Sequence, residues 1–470
     1  MRKQPKYLQI AEYIKERIST GEWPVGSIIP SQRELAKQFG VNRSTSTAAI
    51  EELMAEGLLE GAVGRGTAVV NNTWTLMNSR PHPNWNENVE WGIHQASLET
   101  VRKINESESD SGLIQLSKGE LSPDMFPLGR MRQIMNLVSA EMKPFGYEEP
   151  RGNKRLRQAV SSYLEKRGLK VSPSSILIVS GSLQALHLIS IGLLQKGTKV
   201  YLEDPSYLNS LSVFQSAGMK LKGLPMDEEG IIPASIPSGP EGKSVLYCNP
   251  TFHNPTGALS GVNRRRNIVK ECSYRRIPII EDDVYRDLWL EESPPAPMKA
   301  EDSAGNILYT GSLSKTLTPG LRIGWLAGPE PVIERLADLK MQSDYGSSSL
   351  SQQIAARWLE DGSYDQHLHY VREELRIRRE AAAAELEKQM KEYAVWTLPR
   401  GGFFIWIQLR PEYQRRNLFE KALSKGILLN PGSIYSPKPD WHIRLSYAFA
   451  SIEEIKEGIA VLASILKEGK

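Results

Sequence analysis

From Leu113 onward, short apolar runs alternate with longer amphipathic stretches, and this alternation constrains the fold more than any other feature. The strand-like runs cover residues 176–179, 199–202, 245–248, 277–280 and 307–309. Apolar strands separated by helices are typical of a mostly parallel sheet that is buried on both faces. The sequence therefore predicts a large α/β domain. A long helix near 365–390 and strands near 403–409 and 442–446 predict a smaller α+β subdomain after it.

The first 75 residues follow another pattern, in which three short helices precede a glycine-rich hairpin. Apolar residues at helical spacing predict the first helix, and Ser31 and Glu34 have the spacing of a capping box at the start of the second. Asn42 can cap the third helix. The predicted elements are helices at 7–20, 31–39 and 42–56 and strands at 58–60 and 67–70. This order predicts a winged helix-turn-helix.

Composition excludes several classes of protein. The chain has 470 residues with 58 basic and 55 acidic side chains, so no large basic surplus marks it as nucleic-acid binding overall. Two cysteines cannot build a disulfide framework, and the seven histidines show no metal-ligand spacing. Because there is no apolar run of membrane length and no apolar segment of a signal peptide, we expect a cytoplasmic protein without a metal.

The segment Ser312–Gly324 carries the most specific chemical signal. Lys315 follows a predicted strand, lies among small hydroxyl residues and precedes Arg322 by seven positions. Such a lysine can form a Schiff base with the aldehyde of pyridoxal phosphate, while Ser312, Ser314 and Arg322 hold the phosphate. The string resembles the cofactor lysine motif of fold-type I, class I aminotransferases.

Further residues that this cofactor needs occur in the order that the resemblance implies. Ser180, Gly181 and Ser182 follow a strand and open a helix, where backbone N–H groups and hydroxyls can bind a phosphate. Tyr207 follows the next strand and could stack on the pyridine ring. Tyr147 resembles the residue with which a neighbouring subunit reaches the phosphate.

The remaining members of the set concern the ring and the ligand. The resemblance implies that Asn254 and Tyr285 bind the 3′-oxygen, and that Asp282 keeps the pyridine nitrogen protonated. Arg444 resembles the arginine that grips a substrate carboxylate, a task suited to a bidentate guanidinium. Singly, each residue has a structural alternative, such as a strand-end cap for Asp282 or a surface ion pair for Arg444. Together, the motifs in family order indicate a complete cofactor site.

The N-terminal pattern resembles the DNA-binding domain of the GntR family over about residues 5–72. The resemblance implies that the third helix reads the major groove through Arg43, Ser44, Thr45 and Thr47. Arg33 and Lys37 would contact phosphates, and Arg65 at the wing tip would reach the backbone or minor groove. Hydroxyl residues stand near position 47, where many GntR relatives have a further arginine. Arg43 would therefore make a larger share of the contacts to bases or phosphates.

The two halves together resemble the MocR subfamily of GntR regulators. The domains would be a DNA-binding domain at 1–75, a linker and docking arm at 76–112, and an aminotransferase-like domain at 113–470. The resemblance implies a homodimeric transcription regulator that binds operator DNA, with a head-to-tail, swapped arrangement of its two chains. It would sense pyridoxal phosphate and an amino-acid or amine effector through an external aldimine. A working aminotransferase with an appended DNA-binding module, or a degenerate scaffold for dimerisation, are the alternatives.

Overall fold

We describe the protein from a computed structural model that covers residues 5–62, 66–71, 98–141, 146–238, 243–415, 417–436 and 441–468. The chain divides into two compact units, with the division near residue 93. In the ranges just given, no helix is long and apolar enough to cross a membrane.

The N-terminal unit contains three helices and an antiparallel strand pair. Its elements are α1 (Lys6–Ser19), α2 (Gln32–Phe39), α3 (Arg43–Ala55), β1 (Leu59–Ala62) and β2 (Gly66–Val69). Buried Ile10, Ile14, Leu35, Ile50 and Leu53 form its core, because helical spacing places them on inward faces. The order of elements is that of the predicted winged helix-turn-helix.

The two predicted helix starts in this unit differ. The backbone N–H of Glu34 donates to Ser31 Oγ over 3.3 Å, and Ser31 N–H donates to the Glu34 carboxylate over 2.7 Å. The predicted capping box is therefore confirmed. Asn42 stands at the N-cap position of α3, but its side chain makes no capping hydrogen bond. Its backbone carbonyl instead accepts from Thr45 N–H at 3.0 Å.

The C-terminal unit alternates strands and helices. Its described helices are α4 (Glu99–Ser107), α5 (Leu128–Glu141), α6 (Lys154–Glu165), α7 (Ser182–Gly192), α8 (Leu208–Ser216), α9 (Val262–Tyr274), α10 (Glu330–Asp344), α11 (Ser349–Glu360), α12 (Ser363–Gln389), α13 (Leu418–Ser424) and α14 (Ile452–Lys467). Its described strands are β3 (Ile114–Gln115), β4 (Ile176–Val179), β5 (Lys199–Asp204), β6 (Lys220–Asp227), β7 (Gly230–Ile231), β8 (Ser244–Cys248), β9 (Ile279–Asp282), β10 (Ile307–Ser312), β11 (Gly324–Ala327), β12 (Ala394–Thr397), β13 (Phe404–Leu409), β14 (Ile427–Leu428), β15 (Asn430–Pro431) and β16 (His442–Ser446).

The main sheet of the described residues has the order β4-β11-β10-β9-β8-β5-β6-β7. Neighbouring strands from β10 to β6 pair in parallel, whereas β11 is antiparallel to both β4 and β10, and β7 is antiparallel to β6. The predicted parallel α/β sheet is therefore present with two antiparallel strands added. Since β4, β5, β8, β9 and β10 point the same way, the residues that follow them gather at one edge.

The smaller sheet belongs to the C-terminal subdomain. Strands β12, β13, β16 and β15 form it, with antiparallel pairing throughout. Helix α4 packs on the same hydrophobic core through buried Val101 and Ile104, and β3 pairs with β14. The subdomain is thus completed by residues that precede the large sheet in the chain.

Candidate functional site

A cavity opens in the C-terminal unit where the parallel strands end. Side chains from strand ends, from the small sheet and from α4 meet there. Of the residues singled out from the sequence, it is lined by Ser182, Tyr207, Asn254, Asp282, Tyr285, Lys315 and Arg444. Residues far apart in the chain are brought together because each follows a strand of one sheet or projects from the subdomain beside it.

Lys315 enters this cavity from the loop after β10. Its Nζ donates to the carbonyl oxygen of Gly119 over 2.7 Å. Burial lowers the pKa of Lys315 below its ordinary value, although the nearby carboxylates of Glu120 and Asp282 act in the opposite direction. A lowered pKa increases the fraction of neutral amine, which is the form that attacks a carbonyl carbon.

Asp282 ends β9 and faces the cavity with one oxygen available. Its Oδ2 accepts from the Tyr247 hydroxyl over 2.8 Å. Its Oδ1 is buried and has no hydrogen-bond partner among the described residues. Burial raises the pKa of Asp282 to about 6, because the charged form loses its hydration. A protonated ring nitrogen would supply both the missing donor and the missing countercharge, so the residue fits a pyridinium.

Asn254 and Tyr285 lie side by side in the same cavity. Asn254 Nδ2 is 3.5 Å from the Tyr285 hydroxyl, and the backbone N–H of Asn254 donates to Asn249 Oδ1 over 3.0 Å. Two neighbouring donors of this kind fit a phenolate oxygen such as the 3′-oxygen of pyridoxal.

Around the start of α7 lies a second group of predicted residues. Gly181 has φ +97°, and a Cβ there would lie 2.8 Å from Arg322 Nη2, so only glycine fits without strain. Arg322 Nη2 donates to the Ser180 carbonyl oxygen over 2.6 Å. Ser314 N–H donates to Ser312 Oγ over 3.1 Å. Among the described residues, no side chain caps the start of α7, and Arg322 is exposed; a helix N-terminus beside hydroxyls and a guanidinium suits a phosphate.

Arg444 projects from β16 and is only 3% exposed. Its Nη1 donates to Asn254 Oδ1 over 2.8 Å, and its Nη2 donates to the Ser117 carbonyl oxygen over 2.5 Å. The guanidinium lies 3.9 Å from the centroid of the Phe404 ring, while its Nε lacks a partner among the described residues. A buried guanidinium with an unused donor can bind a carboxylate ligand.

The other two predicted tyrosines, Tyr207 and Tyr147, are placed differently. Tyr207 lines the cavity, with its ring centroid 6.1 Å from that of Tyr435. Tyr147 is 81% exposed and contacts Tyr345, with the ring centroids 5.2 Å apart. Within the described part of this one chain, Tyr147 is not among the residues that line the cavity.

Several polar residues that sequence reasoning missed support Asp282, and two of them, Tyr247 and Asn249, also line the cavity. Asn249 Nδ2 donates to the Asp282 carbonyl oxygen over 2.6 Å, and Asn249 N–H donates to Glu203 Oε1 over 3.0 Å. Burial raises the pKa of Glu203 to about 7. Asn249 and Tyr247 lie at the end of β8, the strand next to β9. Their position at the end of a predicted strand was the sequence signal that could have identified them.

We expect Asp282→Asn to weaken cofactor binding by about 2–3 kcal/mol, or roughly 30- to 150-fold in Kd, because a charged hydrogen-bond acceptor is lost. The fold of the cofactor-free protein should persist, since an amide at 282 can still accept from Tyr247. Titration of cofactor absorbance, with melting curves of the cofactor-free protein, measures both. Exposed Asp338→Asn is the matched control. Unchanged cofactor affinity in Asp282→Asn would contradict the assignment.

In the N-terminal unit, the predicted DNA-contacting residues lie on α2 and α3. Arg33, Lys37, Arg43 and Ser44 are exposed, and Thr45 and Thr47 are half-buried. The Arg43 guanidinium donates to Gln32 Oε1 over 3.2 Å, and Thr47 Oγ1 donates to the Arg43 carbonyl oxygen over 2.9 Å. Arg65 lies outside the described residues.

Comparison with known proteins matches both halves of the chain. The family model described as aminotransferase class I and II matches residues 111–462, and the model described as bacterial regulatory proteins, gntR family, matches residues 6–69. The uncharacterized HTH-type transcriptional regulator YdfD of Bacillus subtilis is 58% identical over 470 residues, covering 100% of this chain and 98% of that protein. The HTH-type transcriptional regulator NorG of Staphylococcus aureus is 36% identical over 444 residues, covering 94% and 99%.

Two solved aminotransferase structures are similar to most of the chain. The kynurenine aminotransferase of Pyrococcus horikoshii, solved with PMP, superposes with a TM-score of 0.76 at 30% identity and covers 82% of this chain and 99% of its own. The multiple substrate aminotransferase of Thermococcus profundus superposes with a TM-score of 0.74 at 30% identity and covers 79% and 96%.

Proposed function

Because the chain belongs to the MocR-type transcription regulators, which join a GntR domain to an aminotransferase class I and II domain, we propose that it controls transcription in response to an amino acid or related amine. Its cofactor is pyridoxal phosphate. The observation that carries the proposal is buried Arg444, which lines the cavity and whose Nε has no partner within the described part of a chain that also has a DNA-binding domain.

Each of the predicted residues would bind a particular part of the cofactor or of the ligand. Lys315 would hold the aldehyde carbon, Asp282 the ring nitrogen, and Asn254 and Tyr285 the 3′-oxygen, with Tyr207 against the ring. Ser180, Gly181, Ser182, Ser312, Ser314 and Arg322 would hold the phosphate. When bound, the cofactor supplies an electrophilic carbon and an electron sink. Arg444 orients the ligand by its carboxylate, so that the ligand's amine competes with that of Lys315.

Ligand binding can affect transcription only if the ligand has different affinities for two states of the protein. We propose that exchange of the Lys315 amine for the ligand amine shifts that equilibrium and changes DNA affinity. Titrating the purified protein with single amino acids, while recording cofactor absorbance and binding to its promoter fragment together, tests this. A coincident change supports sensing, and an absorbance change with constant DNA affinity counts against it.

We further propose that the protein acts as a homodimer, since Tyr147 is exposed and resembles a residue that contacts the partner's phosphate. The two DNA-binding domains of such a dimer would match an operator with a repeated half-site. The family resemblance supports a head-to-tail arrangement of the two chains. It also supports a domain division at 1–75, 76–112 and 113–470. Operator binding also supports a cytoplasmic location.

At the DNA, we propose that Arg43, Ser44, Thr45 and Thr47 read the major groove. Arg33 and Lys37 would bind phosphates, and Arg65 would reach the backbone or minor groove. Arg43→Ala should weaken promoter binding by about 1–3 kcal/mol, roughly 5- to 150-fold, because a direct contact is lost. Exposed Arg335→Ala, in the other unit, is the control in the same gel-shift titration. Equal affinities at physiological salt would show that α3 is not the reading helix.

A working aminotransferase remains the second candidate, and the complete residue set around Lys315 favours it. Turnover requires repeated proton transfer by Lys315 and release of a keto acid, whereas sensing requires only amine exchange. The fused DNA-binding domain favours sensing, because its affinity for DNA could then depend on whether the cavity holds a ligand.

A further inference from the structure

The cavity is lined by three charged side chains that the cofactor site does not use, namely Glu108, Lys118 and Glu120. Glu108 is the residue directly after α4, and Lys118 and Glu120 flank Gly119, whose carbonyl oxygen binds Lys315 Nζ. Among the described residues, neither carboxylate forms a hydrogen bond or an ion pair through its oxygens. Lys118 Nζ lies over the Phe449 ring, 4.3 Å from its centroid.

When each charged side chain that lines the cavity is paired with an opposite charge, one negative charge remains unpaired. Asp282 is matched by the ring nitrogen and Arg444 by a ligand carboxylate, while burial lowers the pKa of Lys315 and so favours its uncharged amine. The two remaining carboxylates face a single ammonium, that of Lys118. Partly buried charges of one sign favour a ligand group of the other sign, since water screens them poorly.

Glu108 is the better placed of the two carboxylates to bind such a group. Burial raises its pKa, with Glu120 acting in the same direction, while Lys118, Arg444 and Lys315 are close enough to oppose this. It lines the same cavity as Arg444 and Lys315, the residues proposed to act on the carboxylate and the amine of an α-amino acid. It also stands at the C-terminus of α4, where the helix dipole favours a cation.

Building on the proposed function, we propose that the effector is an α-amino acid whose side chain carries a second, cationic group, and that Glu108 binds this group. Helix α4 is the first described element after residues 72–97. The effector would therefore contact the beginning of the described C-terminal unit directly, through a residue outside the cofactor motifs.

L-ornithine and L-norvaline provide the test, because they differ by the terminal amino group. In the wild-type holoprotein, we measure the concentration of each amino acid that gives the half-maximal change in cofactor absorbance. This concentration should be at least about tenfold lower for ornithine than for norvaline, as expected for a charge-assisted hydrogen bond. Glu108→Gln should remove this preference and leave the response to norvaline unchanged. Exposed Glu106→Gln on the same helix is the matched control and should keep the preference.

Charge reversal gives a second variant. Glu108→Lys should shift the preference from ornithine towards L-glutamate. Equal responses to ornithine and norvaline in the wild type, or equal weakening of both by Glu108→Gln, would overturn the assignment of Glu108. Because promoter-fragment affinity is recorded in the same samples, a DNA response without charge preference overturns only this inference. Constant DNA affinity with every amino acid overturns the proposed function itself.

Discussion

Lys315→Ala should abolish the covalent attachment of the cofactor. Treatment of the wild-type holoprotein with borohydride should fix one cofactor to each chain, and the variant should fix none. The physical reason is that Lys315 supplies an amine whose pKa is lowered by burial, in the cavity that Asp282, Asn254 and Tyr285 also line. The wild-type protein should be yellow, and its visible absorbance band should be absent from the variant.

Lys118→Ala is the matched control for this experiment, because Lys118 lines the same cavity. It should retain the fixed cofactor, as shown by the mass of the intact chain. A borohydride-fixed cofactor that persists in Lys315→Ala would mean that another amine forms the link, and the assignment of the whole segment Ser312–Gly324 would then be wrong.

Arg444→Ala should remove the response to effectors that carry a carboxylate. Arg444 is buried, and truncating one partner of a buried charge pair costs about 2–5 kcal/mol, which corresponds to roughly 30-fold or more in affinity. The cofactor should remain bound, because Lys315, Asp282 and the phosphate-binding residues are unchanged. Absorbance titration with amino acids measures the loss.

Two controls distinguish a lost carboxylate contact from a damaged site. Arg444→Lys retains the charge but not the paired donors, so the affinity should be intermediate. Butylamine is norvaline without its carboxylate, and its weak response should be the same in Arg444→Ala as in the wild type. If norvaline responds equally in both proteins, Arg444 does not bind the carboxylate.

Local sequence patterns predicted the parts of the site that depend on strand ends. Lys315 and Asp282 each lie at or just after an apolar run, and parallel strands bring such ends to one edge whatever their separation in sequence. The capping box at Ser31 was likewise predictable, because both partners lie within four residues. The strand run at 277–280 was placed two residues early, since Glu281 and Asp282 are polar but buried in β9.

Features that depend on distant contacts were missed. Strand β11 is only four residues long and lies between β4 and β10, so its pairing depends on residues far away in sequence. The bond from Arg444 to Asn254 joins residues 190 positions apart. The approach of Glu108 to the cavity depends on the packing of α4 against the small sheet, which no local pattern reports.

Sensing and catalysis are separated most directly by measuring promoter-fragment affinity, cofactor absorbance and keto-acid release in one titration with an amino acid. For a sensor, we expect DNA affinity and absorbance to change with the same midpoint, while keto acid forms slowly or not at all. Steady release at rates on the order of 1–10³ per second, with DNA affinity constant throughout, would contradict sensing and identify the protein as a working aminotransferase.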